Sequence, residues 1–116
     1  MTSVAFAVEL AALRGVVFEA IESWNAAHPR VRGSQRERGS VNVTQMHTDA
    51  SGAPSYSITV LCALTGTSQL TFHGPDRAAL AEQARLTVER KIAAELHRRD
   101  DEAYEDGLNQ KFGIAV

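Results

Sequence analysis

The chain is poor in cysteine: Cys62 is the only one among its 116 residues. A single cysteine excludes a disulfide within the chain, a zinc site built from cysteines and a CxxC redox pair. Because Cys62 lies in the apolar stretch YSITVLCAL, we expect a buried thiol rather than a reactive one. A domain of this length buries roughly two thirds of the surface that its unfolded chain exposes, so it needs neither a disulfide nor a metal to fold.

The chain also lacks a large excess of charge of either sign, since its formal net charge is −2. A protein that coats nucleic acid without regard to sequence needs a broad basic face to neutralise phosphates. The composition therefore disfavours that class of protein, although it is compatible with a local basic patch.

Long hydrophobic runs are missing too. The N-terminal stretch MTSVAFAVELAALRGVVF is apolar, but Glu9 and Arg14 interrupt it and no basic segment precedes it. These features are not those of a signal peptide or of a membrane-spanning helix. We expect a cytoplasmic protein without a membrane partner or, if it is viral, one found in a host cell or virion.

Signatures of catalysis and of cofactor binding are absent from the sequence. There is no GxSxG motif, no phosphate-binding glycine loop, and no HxxxH or HExxH spacing. The four histidines, His28, His47, His73 and His97, are scattered along the chain. We therefore expect no catalytic residue, no metal and no cofactor, and a protein that is not an enzyme.

The chain does contain two helical patterns, and the first covers about residues 3–26. Apolar residues recur there at steps of three and four, which predicts a helix with one apolar stripe. The stripe consists of Phe6, Leu10, Leu13, Val17, Ala20, Ile21 and Trp24. Gly15 either weakens this helix by about 1 kcal/mol relative to alanine or allows another backbone to approach closely.

Three strands are predicted in the middle of the chain. SVNVTQMHT alternates apolar and polar residues, the turn formers DASGAPS follow, and YSITVLCAL alternates again. The inner half of YSITVLCAL is apolar on both faces, so we expect it to be the central strand. QLTFH, after the turn at TGTS, is a short third strand.

The second helix is predicted to begin at HGPD and to run to about Arg99. Pro75 has no amide hydrogen to leave unpaired, and Asp76 can cap the first turn. Oppositely charged residues four apart, including Arg85 with Glu89 and Glu95 with Arg99, predict a solvated outer face.

Residues 100–116 form a tail that changes character twice. Five carboxylates lie between Asp100 and Asp106, and four large apolar residues follow: Leu108, Phe112, Ile114 and Val116. Since a disordered terminus seldom keeps four such residues, we expect the tail to pack on the domain or on a partner. The chain is thus predicted to be a single domain, 1–116, in which 1–99 form the core.

The predicted fold is α+β: a three-stranded antiparallel sheet with two helices on one face, in the order α-β-β-β-α. Over residues 52–96 the spacing of hairpin loop, long strand, turn, short strand and alanine-rich helix resembles the double-stranded RNA-binding domain. That resemblance implies phosphate contacts at the start of the second helix and a histidine in the hairpin loop. Here the helix start has only Arg77 as a basic residue, beside Asp76 and Glu82, and the loop has no histidine. The resemblance thus supports the fold more than the function.

An arginine-rich stretch, HPRVRGSQRERGS, separates the first helix from the first strand and contains Arg30, Arg32, Arg36 and Arg38. Three interpretations stay open: a solvated loop with internal ion pairs, docking on an acidic protein surface, and contact with phosphates. The acidic tail of a second copy is one such surface, and its pairing with this loop would assemble copies head to tail.

We therefore predict a small non-catalytic protein-interaction or assembly module that forms a homo-oligomer or part of a larger complex. Virion or phage accessory components and small inhibitors that dock on a larger machine are two settings for such a module. The predicted partner-binding residues are Arg30, Arg32, Arg36, Arg38, Leu108, Phe112 and Ile114. The alternative is an RNA-binding module of the double-stranded-RNA-binding-domain type, with these four arginines and Arg77 as phosphate contacts.

Overall fold

The chain folds in the predicted order of helix, three strands and helix. In a computed structural model the elements are α1 (Thr2–Ala27), β1 (Gly39–Met46), β2 (Ser55–Cys62), a short 3-10 helix (Ala63–Thr65), β3 (Leu70–Gly74) and α2 (Arg77–Phe112). The structure describes residues 2–28, 37–46, 52 and 54–112, and the side chains of 4–28, 37–45, 52 and 54–102. The predicted α+β class and α-β-β-β-α order are confirmed.

The sheet is antiparallel with the strand order β1-β2-β3, so β2 is the central strand as predicted. Val41 of β1 lies opposite Val60, and Ile58 of β2 lies opposite Phe72 of β3. Alternate residues of β2 face the helices. The inner half of this strand is apolar on both faces, but the helices cover only one of them. Leu61, on the other face, stays 39% exposed.

The core lies between the helices and the covered face of the sheet. Leu13 and Val17 from α1, Ile58 and Val60 from β2, and Val88 from α2 are fully buried there. Each such side chain contributes roughly 1.5–3 kcal/mol through removal from water.

Cys62 belongs to this core, which confirms the prediction of a buried thiol. Burial raises the pKa of its thiol above the ordinary value. The sulfur is therefore held in its protonated, poorly nucleophilic form.

The start of α2 also follows the prediction, but its end does not. Asp76 caps the helix, since its Oδ1 accepts hydrogen bonds from the amides of Ala78 and Ala79 at 3.0 and 3.3 Å. The helix then continues to Phe112, so the prediction that it ends near Arg99 is wrong.

The acidic run after Arg99 is part of the helix because its carboxylates find partners one turn earlier. Arg98 lies 3.0 Å from Glu102, and His97 Nε2 lies 3.5 Å from Asp101, both at a spacing of four. Such pairs stabilise a helix by about 0.2–0.5 kcal/mol each. The side chains of 103–112 and the whole of 113–116 lie outside the described residues, so docking of the tail stays a prediction.

Candidate protein-binding groove between the helices

A concave surface of the described part of the chain lies between α1 and α2 and is here called the helix groove. The two helices run side by side in the same direction: Glu9 pairs with Arg85 near their starts, and Trp24 meets Arg99 further along. The groove lies toward the later end of this contact and has a volume of about 540 Å³. That volume is in the range of known ligand sites, roughly 300–1,000 Å³.

The walls of the helix groove are apolar, with Val16, Ala20 and Trp24 from α1 and Ile92, Ala93 and Leu96 from α2. The α1 residues follow one another at steps of four, and on α2 Ile92 and Ala93 precede Leu96 by four and three residues, so each set lies on one side of its helix. That face borders the core stripe, and the small alanines leave room between the helices. The sequence periodicity placed Ala20 and Trp24 in the core stripe of α1, because periodicity cannot show where two helices separate.

Trp24 is held in place by two flat side chains. The guanidinium of Arg99 lies 4.7 Å from the centroid of its ring. His28 stacks on it with ring centroids 3.7 Å apart and an interplanar angle of 19°. A large aromatic side chain with its rotamer fixed in advance loses little entropy when a ligand packs on it. Trp24 is therefore a preformed contact surface.

Arg99 is fixed in turn by two carboxylates. Its Nε donates to Glu95 Oε2 at 2.7 Å and its Nη1 to Glu37 Oε1 at 3.2 Å. Glu37 is tied to the end of α1, because its amide donates to Asn25 Oδ1 at 3.0 Å and its carbonyl accepts from Asn25 Nδ2 at 3.1 Å. The Arg99 side chain thus joins α2 to the start of β1 and to α1.

Glu95 contradicts the predicted solvated face of α2, because its side chain is only 8% exposed. It accepts two hydrogen bonds from Arg98, at 2.8 and 2.9 Å, in addition to the one from Arg99. The hydrogen bonds from Arg98 and Arg99 lower the pKa of Glu95 to about 2. The spacing of four residues predicted that Glu95 and Arg99 contact each other, but it did not indicate that the Glu95 side chain is buried.

The rim of the helix groove is acidic. Glu19, Glu89 and Asp100 line it and are exposed, and Ser23 and His28 are its other polar side chains. Among the described residues that line the groove there is no lysine or arginine. Two arginines lie beside the lining residues: Arg85 is 3.3 Å from Glu89, and the Arg99 guanidinium is 4.7 Å from the centroid of the Trp24 ring. An apolar floor under a negative rim is complementary to an apolar segment that carries positive charge.

The residues predicted from sequence to bind partners lie elsewhere. Arg30, Arg32, Arg36 and Ile114 are outside the described residues, as are the side chains of Leu108 and Phe112, whose backbone belongs to α2.

The two described basic candidates are not brought together. Arg38 is exposed just before β1, near the Cys62 end of β2. Arg77 starts α2 near the opposite end of that strand and is half-buried, with its guanidinium 4.8 Å from the Phe6 ring centroid and 5.9 Å from that of Tyr56. A guanidinium held over two rings is less available to a phosphate than an extended one.

Within the described residues, no three side chains among histidine, cysteine, aspartate and glutamate come together in an arrangement that could hold a metal ion. Nor does any described helix combine the length and apolarity needed to cross a bilayer.

Comparison of the chain with known protein families, with curated proteins and with solved structures finds no match. The likeness to the double-stranded RNA-binding domain is one of element order, α-β-β-β-α.

Proposed function

We propose that this protein is a non-catalytic protein-interaction module whose helix groove binds an apolar segment of a partner, flanked by lysine or arginine. The observation that carries the proposal is the combination of apolar walls, including Trp24, with a rim of Glu19, Glu89 and Asp100. Such a module suits both a component of a virion and an inhibitor of a larger machine.

The walls favour an amphipathic helix as the bound segment. A groove between two helices accepts the apolar side chains that a third helix presents at steps of three and four. Trp24 and Leu96 are the largest half-buried apolar side chains in the walls, and aromatic anchors dominate the energy of many interfaces. Because Arg99 and His28 already hold Trp24, little side-chain ordering is left to oppose binding.

The rim favours a basic partner over an acidic one. Three carboxylates repel negative side chains and attract lysine or arginine, an effect that mainly sets specificity and the rate of association. Because the rim is exposed, salt screens this attraction, with a Debye length of about 10 Å at 0.1 M ionic strength. Binding should therefore weaken with salt without being lost, since the apolar contacts are insensitive to screening.

A non-catalytic role is consistent with the state of Cys62. Burial raises the pKa of this thiol, and the sulfur lies in the core rather than in the helix groove.

The test uses Trp24 as a reporter, since it is the only tryptophan in the chain. Titration with an amphipathic peptide of leucine and lysine should shift the Trp24 emission, whereas the same peptide with glutamate in place of lysine should bind more weakly.

Glu19→Lys should weaken the affinity for the basic peptide about three- to tenfold at low salt. Glu82→Lys makes the same charge change on an exposed side chain of α2 that does not line the groove, and it should have a smaller effect.

A second variant tests the apolar walls. Ala93 is exposed at the groove, so Ala93→Phe should fill it without disturbing the core and should abolish peptide binding. If no peptide perturbs Trp24 up to about millimolar concentration, the proposal is wrong. A mobility shift with duplex RNA at low and moderate salt, in place of peptide binding, would support the RNA-binding alternative, in which Arg30, Arg32, Arg36, Arg38 and Arg77 contact phosphates.

A further inference from the structure

The outward face of α1 carries an apolar stripe on the side away from the core. Val4 is 66% exposed, Val8 is 61% exposed and Phe18 is 42% exposed, and they are three of the five large apolar side chains exposed among the described residues. Ala11 is exposed and Gly15 half-exposed between them. We name Val4, Val8, Ala11, Gly15 and Phe18 the outer stripe.

The spacing of the outer stripe is that of a helix–helix seam. Its members follow one another at steps of four, three, four and three residues. This alternation is the heptad pattern by which one helix keeps a continuous apolar seam against another. A helix that faced only water would carry polar residues at these positions.

Small residues in the stripe allow close approach. A Cβ added at Gly15 would meet no heavy atom of the described structure within 4 Å, so no backbone of the described chain uses the space that Gly15 leaves. Ala11, one turn earlier, is the next small residue on the same face. A second helix could therefore approach the middle of α1 closely, with Val4 and Phe18 at the two ends of the contact.

We propose that the outer stripe pairs with the outer stripe of a second copy, antiparallel, about a two-fold axis near Ala11. A two-fold interface uses the same patch on both copies, and here the patch is complementary to itself. With the axis at Ala11, Val4 of each copy meets Phe18 of the other, Val8 lies beside Gly15, and Ala11 meets Ala11.

Charge selects the antiparallel orientation. The first turn of α1 has no acidic side chain to complement the positive end of the helix dipole. Glu22, which follows Phe18 on the same face, comes next to that end of the second copy when the helices are antiparallel. In a parallel pair, Glu22 would instead face Glu22 and the like ends of the two dipoles would lie together.

The dimer leaves the helix groove free. The groove is lined by the flank of α1 that faces α2, including Val16 and Ala20, whereas the outer stripe points away from the core. The pairing does not depend on the groove's proposed function. Each dimer would present two grooves. An interface of one helix per copy is smaller than the usual roughly 800 Å² per partner, so we expect weak, concentration-dependent association.

The test measures the mass of the full-length chain by sedimentation velocity from about 1 µM to 1 mM, a range that covers weak association. The wild-type chain should pass from monomer to dimer. Val8→Lys and Ala11→Lys should raise the midpoint of this transition at least about tenfold, because each places a charge in the seam. Leu86→Lys is the matched control, since Leu86 is 51% exposed on α2, and it should leave the midpoint unchanged.

Cysteine substitutions test the orientation. Ala11→Cys should cross-link readily under oxidation, because the two sulfurs meet at the axis. Val4→Cys should not, since antiparallel copies place the two residues about 21 Å apart along the helices. The native Cys62 is buried, so the unsubstituted chain should give no cross-linked dimer.

Three outcomes overturn the proposal: a monomer over the whole concentration range, equal cross-linking at positions 4 and 11, or loss of the dimer on deletion of residues 107–116. The last would show assembly through the tail. None of these outcomes affects peptide binding in the helix groove, so the two proposals fail independently.

Discussion

Gly15 and Gly39 respond oppositely to an added methyl group. At Gly15 a Cβ meets open space among the described residues, whereas at Gly39 it would lie 2.8 Å from both Ile21 Cδ1 and the Leu61 carbonyl oxygen. Gly15→Ala should raise the free energy of unfolding by about 0.5–1 kcal/mol through helix propensity. Gly39→Ala should lower it by about 1–3 kcal/mol through overpacking.

Urea denaturation of both variants, at a concentration low enough to keep the chain monomeric, measures these changes. Equal effects of the two substitutions would show that the space around the glycines is not as described.

The ionisation of Glu95 makes the free energy of unfolding depend on pH in the acidic range. Its pKa in the folded protein is about 2 against an ordinary value of 4.5, so the folded state favours the ionised form. The resulting stabilisation is complete above about pH 4.5 and is lost as the pH falls toward 2. Glu95→Gln should cost about 1.5–3 kcal/mol at pH 7 through the charged hydrogen bonds it weakens.

The difference between wild type and Glu95→Gln should therefore shrink between pH 4.5 and pH 2, which urea denaturation at a series of pH values would show. Glu89→Gln serves as the control, because Glu89 forms a more exposed pair with Arg85. A constant difference down to pH 2 would contradict the depressed pKa of Glu95.

At the scale of the element, α2 depends on its first turn. Among the described residues, Asp76 is the one whose side chain caps this helix, and it does so by accepting hydrogen bonds from the amides of Ala78 and Ala79. Asp76→Ala should lower the free energy of unfolding by about 1 kcal/mol, whereas Asp76→Asn should retain most of the stability, since asparagine is an equally good cap. Thermal unfolding measures both, and a loss as large for asparagine as for alanine would point to the charge rather than the cap.

The two helices differ in what they show to solvent. Among the described residues α2 exposes one large apolar side chain, Leu86, whereas α1 exposes three, Val4, Val8 and Phe18. Sequence periodicity correctly placed Leu13, Val17 and Ile21 of α1 in the core. It did not draw attention to the outward stripe, because an apolar residue off the core face is informative only once the covering elements are known.

At the scale of the whole molecule, two apolar surfaces lie on different sides of α1. One faces α2 and is bordered by carboxylates, and the other faces away from the core. If both are occupied, the protein is a dimer that binds two partner segments. Two linked sites raise the apparent affinity for a partner with repeated segments when the geometry lets both engage at once.

Four features could be predicted from the amino-acid sequence: the order of elements, the central place of β2, the burial of Cys62 and the cap at Asp76. These features depend on periodicity and on residues close in the chain, where local geometry decides the outcome. Three features became visible only in the folded chain: the helix groove, the burial of Glu95 and the contact of Arg99 with Trp24. The groove and the Arg99–Trp24 contact join residues distant in sequence, and Glu95 is buried beside the turn at Gly66. All three follow from how the helices and the sheet pack together.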